Sequence, residues 1–264
     1  MTKLIDIAIK AALDAGTTIL EVYATDFDVV QKSDDSPLTI ADQKANAVIE
    51  SYLADTQLPI ISEETKAVDY AQRQNWNRCW LVDPLDGTKE FVKKNGEFTV
   101  NIALIENGVP TQGVIYAPVL GDLYYTENNT AFKVSIQSGT EQDALKDILA
   151  LKAKATKLKP APWQDPILVV GSRSHMNAET EDFVNTLKRN HQTEMVSKGS
   201  SLKFCLVAEG SAHVYPRFAP TMEWDTGAGQ AICTAAGLAV TRQDTDEPLN
   251  YNKENLLNPY FLVR

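Results

Sequence analysis

The run Asp83-Pro84-Leu85-Asp86-Gly87-Thr88 places two carboxylates, a free backbone carbonyl and a hydroxyl at the end of an apolar stretch, Cys79-Trp80-Leu81-Val82. Pro84 cannot donate to a sheet ladder and Gly87 permits unusual backbone angles, so a strand that reaches this point must end in a tight turn. About twenty residues upstream, Leu58-Pro59-Ile60-Ile61-Ser62-Glu63-Glu64 repeats the design: an apolar strand, then acid. Carboxylates and carbonyls are the ligands that hard divalent cations prefer, and Mg²⁺ in particular combines few protein ligands with substrate phosphate. The chemistry these residues could do is metal-dependent phosphate chemistry.

A third acidic element closes such a site. Trp224-Asp225-Thr226-Gly227-Ala228-Gly229 falls where a helix should begin. Asp225 there also reads as a simple N-cap. Two glycines in the first turns each cost about 1 kcal/mol of helix stability, and they fit a backbone that must closely approach a ligand or another segment. Taken singly, Glu63-Glu64 is a solvated turn, Asp86-Gly87 a common turn, and Asp42, three residues after Thr39, the end of a capping box. Together they form a coherent set. Phosphoryl transfer to water needs an activated nucleophile, neutralised equatorial oxygens and a stabilised leaving group, and a pair of cations can supply all three. Asp83 would bridge the pair. Thr88 would orient or deprotonate the attacking water, with Asp42 behind it. No His or Cys nucleophile is required, which suits a chain whose only histidines are His175, His191 and His213.

The elements that must position these groups follow from periodicity. Residues 3–24 read as an amphipathic helix and a second helix starts near Thr39. Strand-like segments at 58–62, 79–82, 98–106, 112–117, 122–126 and 131–136 follow, with Asn107-Gly108 a plausible hairpin turn. The first half is therefore two helices and a largely antiparallel sheet. Residues 137–165, rich in Lys and closed by Pro160 and Pro162, read as a boundary with a solvated face. The second half alternates strand and helix (167–170, 177–189, 194–197, 201–208, 212–215, 225–236, 238–241), the pattern of a layered α/β unit. The expected division is 1–140, carrying most metal ligands, and 141–264, carrying Asp225, in one compact unit.

Composition narrows the class. The chain has 44% apolar and 23% charged residues and a net charge of −10, which fits a globular protein and speaks against polymeric nucleic acid as a partner. A small phosphorylated substrate remains compatible if bound cations reverse the field locally. Met1-Thr2-Lys3 leads straight into the helical pattern, so no signal peptide is expected. Three scattered cysteines in apolar contexts fit a reducing cytoplasm better than a disulfide framework or a zinc site.

The three motifs in this order resemble the signature of the lithium-sensitive, Mg²⁺-dependent phosphatases of the inositol monophosphatase family. Within that family the chain is most similar to the CysQ-type 3′(2′),5′-bisphosphate nucleotidases. The supporting runs are Trp80 to Phe91, Asn95 to Ile105, Ser172-Arg173-Ser174-His175, Gly199 to Gly210 and Tyr215-Pro216-Arg217. The resemblance implies the family's layered αβαβα sandwich, the α+β fold of the inositol monophosphatase and sugar phosphatase type. It implies that Glu63, Asp83 and the Leu85 carbonyl hold a first Mg²⁺, that Asp83, Asp86 and Asp225 hold a second, and that Glu63 helps with a third, weaker one. Gly87 and Thr88 would offer backbone N–H groups to the scissile phosphate. His175, Ser200, Lys203 and Arg217 fall where related nucleotidases contact base, ribose and 5′-phosphate. The implied reaction is Mg²⁺-dependent hydrolysis of adenosine 3′,5′-bisphosphate to AMP and phosphate, with 3′-phosphoadenylyl sulfate a further candidate, in the service of sulfur assimilation. The implied location is cytoplasmic, with peripheral attachment to the inner membrane left open.

The chain departs from the family pattern at Gly227, where a small Ala is usual, and in a longer 137–165 stretch. Other readings stay open at this point. One is an inositol-monophosphate or sugar-phosphate phosphatase with the same metal core, and another is a non-catalytic nucleotide or metal sensor. An aspartyl-phosphate mechanism fits poorly, because Asp-x-x-Asp-Gly-Thr has one residue more than the Asp-x-Asp-Gly-Thr it needs.

Overall fold

Side chains along a strand alternate between faces, so a strand that is apolar at every position must be covered on both sides. Cys79-Trp80-Leu81-Val82 meets that condition in the computed structural model of the chain. The residues described are 3–25, 29–31, 37–65, 68–171 and 177–264, with side chains described outside 29–31 and 37–39.

In chain order the elements begin with α1 (Leu4–Tyr23), β1 (Val29–Gln31), β2 (Pro37–Thr39), α2 (Ile40–Ala54), β3 (Ile60–Ser62), α3 (Tyr70–Arg73), β4 (Arg78–Asp86) and α4 (Thr88–Val92). Then come β5 (Thr99–Glu106), β6 (Val109–Ala117), β7 (Asp122–Glu127), β8 (Thr130–Ser135), α5 (Glu141–Lys146), α6 (Ile148–Ala153) and β9 (Thr156–Lys157). The remainder is β10 (Ile167–Gly171), α7 (Ala178–Leu187), β11 (Thr193–Ser197), α8 (Leu202–Ala208), β12 (Tyr215–Arg217), α9 (Glu223–Ala236), β13 (Val240–Arg242) and β14 (Phe261–Val263).

Strands β3 to β9 form a seven-stranded sheet in sequential order. The β3–β4 pair is parallel and the others antiparallel. Trp80 and Val82 face a core shared with Ile5, Ile9 and Leu13 of α1 and with Ala45 and Ile49 of α2. Cys79 and Leu81 face the opposite core, with Phe204 and Cys205 of α8, Ile232 of α9 and Phe261 of β14. Beyond those helices lies a second, smaller set of strands: β12-β14-β13 antiparallel, β10-β11 parallel, with Val169 bridging to Val214 between them. A third cluster, Ile167, Val169, Val214 and Leu262 against Val184 and Phe183 of α7, covers its far side. The layers therefore run helix, sheet, helix, sheet, helix.

The expected hairpin forms at Asn107 and Gly108, both with positive φ, as a tight primed turn requires. The 137–165 stretch holds two short helices and β9. Strand β9 pairs with β8, so the first sheet takes its last strand from beyond residue 140. Strand β14 at the chain end was not foreseen; it inserts between β12 and β13. Among the described residues, no helix is long and apolar enough to cross a membrane.

Candidate active site

Asp83 and Asp86 end β4, and the local register explains how both serve one site. Asp83 pairs with Asn101 and Asp86 with Thr99, so three steps on β4 match two on β5. This is a β-bulge at Pro84-Leu85. Without it, residues three apart would point to opposite faces; the extra residue returns Asp86 to the face of Asp83. That face is also the face of Cys79 and Leu81, toward α9. Oδ1 of Asp83 accepts the Leu85 amide at 3.1 Å, which fixes the carboxylate in the turn.

Helix α9 supplies the third acid, in a way that corrects the simple capping reading. The N-cap is Met222, and Asp225 stands three residues on, its Oδ2 accepting the Met222 amide at 2.8 Å. Carboxylate oxygens of Glu63, Asp83 and Asp225 all lie within 4.8 Å of one another. The glycines after Asp225 are explained by neighbouring segments. A Cβ at Gly229 would stand 2.4 Å from the Phe204 ring, and one at Gly227 3.1 Å from Ala103 and 3.2 Å from Leu81. Helix α9 thus lies close against α8 and the sheet, which draws Asp225 up to β4.

The electrostatics of this cluster are unbalanced. Burial first, then Glu63, Asp86, Asp225 and Asp42, pushes the Asp83 carboxyl well above the usual carboxylate range. Burial and Asp86 raise Asp225 to about 8. Buried like charges at this spacing are costly unless cations offset them. The donor set is all oxygen, which fits Mg²⁺ and not a soft metal. Asp42, in the first turn of α2, is buried.

Gly87 is the left-handed N-cap of α4, with φ 95°. A Cβ there would meet Ser200 Cβ at 3.2 Å and the Glu97 carbonyl at 3.3 Å, so both conformation and space call for glycine. Thr88 is the first residue of α4. Phe91 packs that short helix against Tyr23 and Phe98.

Two cations line a cleft together with two of the acids. Asp86, Gly87, Ser200, Lys203, Tyr215, Arg217 and Asp225 line one cleft. Lys203 is buried, and its Nζ donates to the Ser200 carbonyl at 2.6 Å and sits 5.7 Å from the Tyr215 ring centre. Among the described residues, neither Lys203 nor Arg217 pairs with a carboxylate. Burial pulls Lys203 down to about 8, with Asp86 acting in the opposite sense and Arg217 adding to the drop. Arg217 donates from Nη2 to the Pro220 carbonyl at 2.8 Å, and its Nε is buried with no hydrogen-bond partner among the described residues. Two cations with spare donors beside an acidic cluster can take an anion that spans the cleft.

His175 lies outside the described residues, as does the rest of the 172–176 segment. Residues that sequence reasoning gave no role are Thr99, Asn101 and Ser201. Ser201 Oγ is 2.7 Å from Asp86 Oδ2 and accepts Asn101 Nδ2 at 2.8 Å. Glu90 also lines the cleft. The three cysteines are buried free thiols, and burial pushes Cys79 up to about 12, which leaves them inert.

Known proteins resemble this chain in sequence and fold. The profile of the inositol monophosphatase family matches residues 1–259. The 3′(2′),5′-bisphosphate nucleotidase CysQ of Escherichia coli O157:H7 is 46% identical, over 98% of this chain and 99% of its own. A crystal structure of CysQ from Bacteroides thetaiotaomicron, described as a bacterial member of the inositol monophosphatase family, is 50% identical with a TM-score of 0.85, covering 98% of this chain and 95% of its own. The inositol monophosphatase TM1415 of Thermotoga maritima, 21% identical, shares the fold with a TM-score of 0.74 over 98% of this chain and 90% of its own. The layered α+β sandwich expected from the sequence is the fold of these proteins.

Proposed function

The chain belongs to the inositol monophosphatase family, and from that membership and its cleft we infer that it is a 3′(2′),5′-bisphosphate nucleotidase, a phosphoric monoester hydrolase. Its substrate would be adenosine 3′,5′-bisphosphate, hydrolysed to AMP and phosphate, with 3′-phosphoadenylyl sulfate as a second candidate and sulfur assimilation as the setting. The carrying observation is that Asp86 and Asp225 line one cleft together with Lys203 and Arg217, two cations that have no carboxylate partner among the described residues. A substrate with one phosphate needs only the acidic side. A second phosphate gives Lys203 and Arg217 their use.

The family is metal-dependent, generally on Mg²⁺, and the oxygen-only donor set fits that ion. Glu63, Asp83 and the Leu85 carbonyl would hold one ion and Asp83, Asp86 and Asp225 another, with Glu63 helping a third. When bound, the ions supply Lewis-acid stabilisation of the phosphoryl oxygens and an activated water. The chain's own groups do the rest. Amides of Gly87 and Thr88 would receive the scissile phosphate, and the glycine lets the backbone come that close. The Thr88 hydroxyl would orient the water and take its proton while passing its own to the carboxylate of buried Asp42. Lys203 and Arg217 would grip the 5′-phosphate as charge-assisted donors. Ser200, whose carbonyl already holds Lys203, would face the ribose, and His175 would meet the base. The three free thiols suit a reducing cytoplasm, where we place the protein.

Product identity tests the reading. Phosphorus NMR of a reaction on adenosine 3′,5′-bisphosphate should show 5′-AMP accumulating with inorganic phosphate. Adenosine 3′-monophosphate as product would reverse the assigned orientation and overturn it.

A further inference from the structure

Asp86, beside the cluster of Glu63, Asp83 and Asp225, is held by neighbours from distant parts of the chain. Its Oδ2 stands 2.7 Å from Ser201 Oγ and 3.4 Å from Asn101 Nδ2. Ser201 Oγ is also 2.9 Å from the Asp225 carbonyl oxygen. Asn101 Nδ2 donates to Ser201 Oγ at 2.8 Å, and Thr99 Oγ1 donates to Asn101 Oδ1 at 3.1 Å, which fixes the orientation of the amide. Ser201 and Asn101 are each buried, at 2% and 1% exposure. One hydroxyl thus joins the carboxylate of one acid to the main chain of another, across two strands and two helices.

We propose that Ser201 is a positioning residue that sets the spacing between Asp86 and Asp225 and thereby the affinity of the cation they share. Three features single out this hydroxyl. A hydroxyl has one proton, and here the Asn101 amide supplies a hydrogen bond to its oxygen, so the proton is left for Asp86 or the Asp225 carbonyl. Both acceptors lie within reach, at 2.7 and 2.9 Å, so the hydroxyl donates to the two in a three-centre bond. That donation fixes Oδ2 and leaves Oδ1 free to turn toward the cluster. The Asp225 contact then keeps the start of α9 in register with β4, as no other side-chain bond joins Asp86 to Asp225 among the described residues. Hydrogen-bonding partners of a metal ligand act in this way, and their loss costs roughly 10- to 100-fold in metal affinity. The inference rests on the proposed metal site, in particular on Asp86 and Asp225 sharing an ion.

The test is Mn²⁺ binding to the metal-free full-length protein, followed by the electron paramagnetic resonance signal of free Mn²⁺. Ser201→Ala should weaken one Mn²⁺ by about ten-fold or more while the other binds as in the wild type. Asn101→Ala, which removes the amide that orients the hydroxyl, should weaken the same Mn²⁺. Melting temperatures measured without metal identify any general loosening. Unchanged Mn²⁺ binding in both variants would overturn the proposal, as would equal loss of every Mn²⁺ together with a large drop in the metal-free melting temperature. A wild-type protein that binds no Mn²⁺ would instead overturn the metal site itself.

Discussion

Asp83 and Asp86 stand three residues apart on one strand and point to the same side of the sheet, because a bulge at Pro84-Leu85 adds one residue against β5. The same-face arrangement gathers like charges at the point where Glu63 and Asp225 also arrive. Gathering acids around buried Asp83 in this way costs stability unless something offsets them.

That cost is measurable as a function of pH. Asp225 is raised to about 8 in the folded protein, against about 3.9 in an unfolded chain. Between those values the metal-free folded state holds more protons than the unfolded chain. Stability from this group is therefore full below about pH 4 and is lost as pH rises through about 8. Asp83 is shifted in the same direction. Thermal melts in EDTA should show the melting temperature falling between about pH 5 and 8, and saturating Mg²⁺ should flatten the profile and raise it. A flat or rising profile in EDTA would contradict the electrostatic account.

Lys203 predicts a limb in the pH dependence of catalysis. Its pKa is lowered to about 8, so the side chain is charged below that pH and neutral above it. Its grip on a 5′-phosphate is then lost as pH rises through about 8. For adenosine 3′,5′-bisphosphate, kcat/KM should fall above that point, since this ratio reports the free enzyme's groups. Lys203→Met should lower the plateau and remove the limb. Adenosine 3′-monophosphate, which lacks the second phosphate, should show no such limb in either protein.

Arg217 should separate substrates. Removing a charged hydrogen-bonding partner costs about 1.5–3 kcal/mol, or roughly 10- to 100-fold. Arg217→Ala should lose that factor in kcat/KM on adenosine 3′,5′-bisphosphate and change inositol 1-phosphate hydrolysis less than two-fold. Equal losses on both would place Arg217 in the metal core or the fold and not in specificity.

Much of this was legible in the sequence because local rules and tertiary contacts agree. Helix α1 and strands β3 to β8 fall where apolar periodicity puts them, whereas β9 lies in the stretch read as a boundary. Asp83, Asp86 and Asp225 stood out because Pro and Gly mark the turns beside them. Ser201, Asn101 and Thr99 were illegible as a group. Ser201 is 100 residues from Asn101, and only the register of β5 against β4 places Asn101 next to Asp83. A buried Ser or Asn carries no periodic signal of its own. The capping reading that competed for Asp225 was one register off, since a carboxylate reaching back from N3 and one at the N-cap have nearly the same sequence context.

A knot behind the site should govern stability. Glu223, at 0% exposure, pairs with Lys253 Nζ and accepts the Asn252 and Lys253 amides at 2.6 and 3.1 Å. Arg73 clamps the same segment through the Lys253 and Glu254 carbonyls. Breaking a buried pair by removing one partner costs about 3–5 kcal/mol. Glu223→Ala should lower stability by that order in urea melts, and a loss near zero would show that the segment is held by other contacts.

The most direct measurement compares phosphate release from adenosine 3′,5′-bisphosphate and from inositol 1-phosphate, in Mg²⁺, each with and without lithium. The account predicts a strong preference for the nucleotide, abolished by EDTA and suppressed by lithium. Preference for the inositol ester would contradict the assignment of Lys203 and Arg217 to a second phosphate, and release of phosphate from neither would contradict the proposed enzyme.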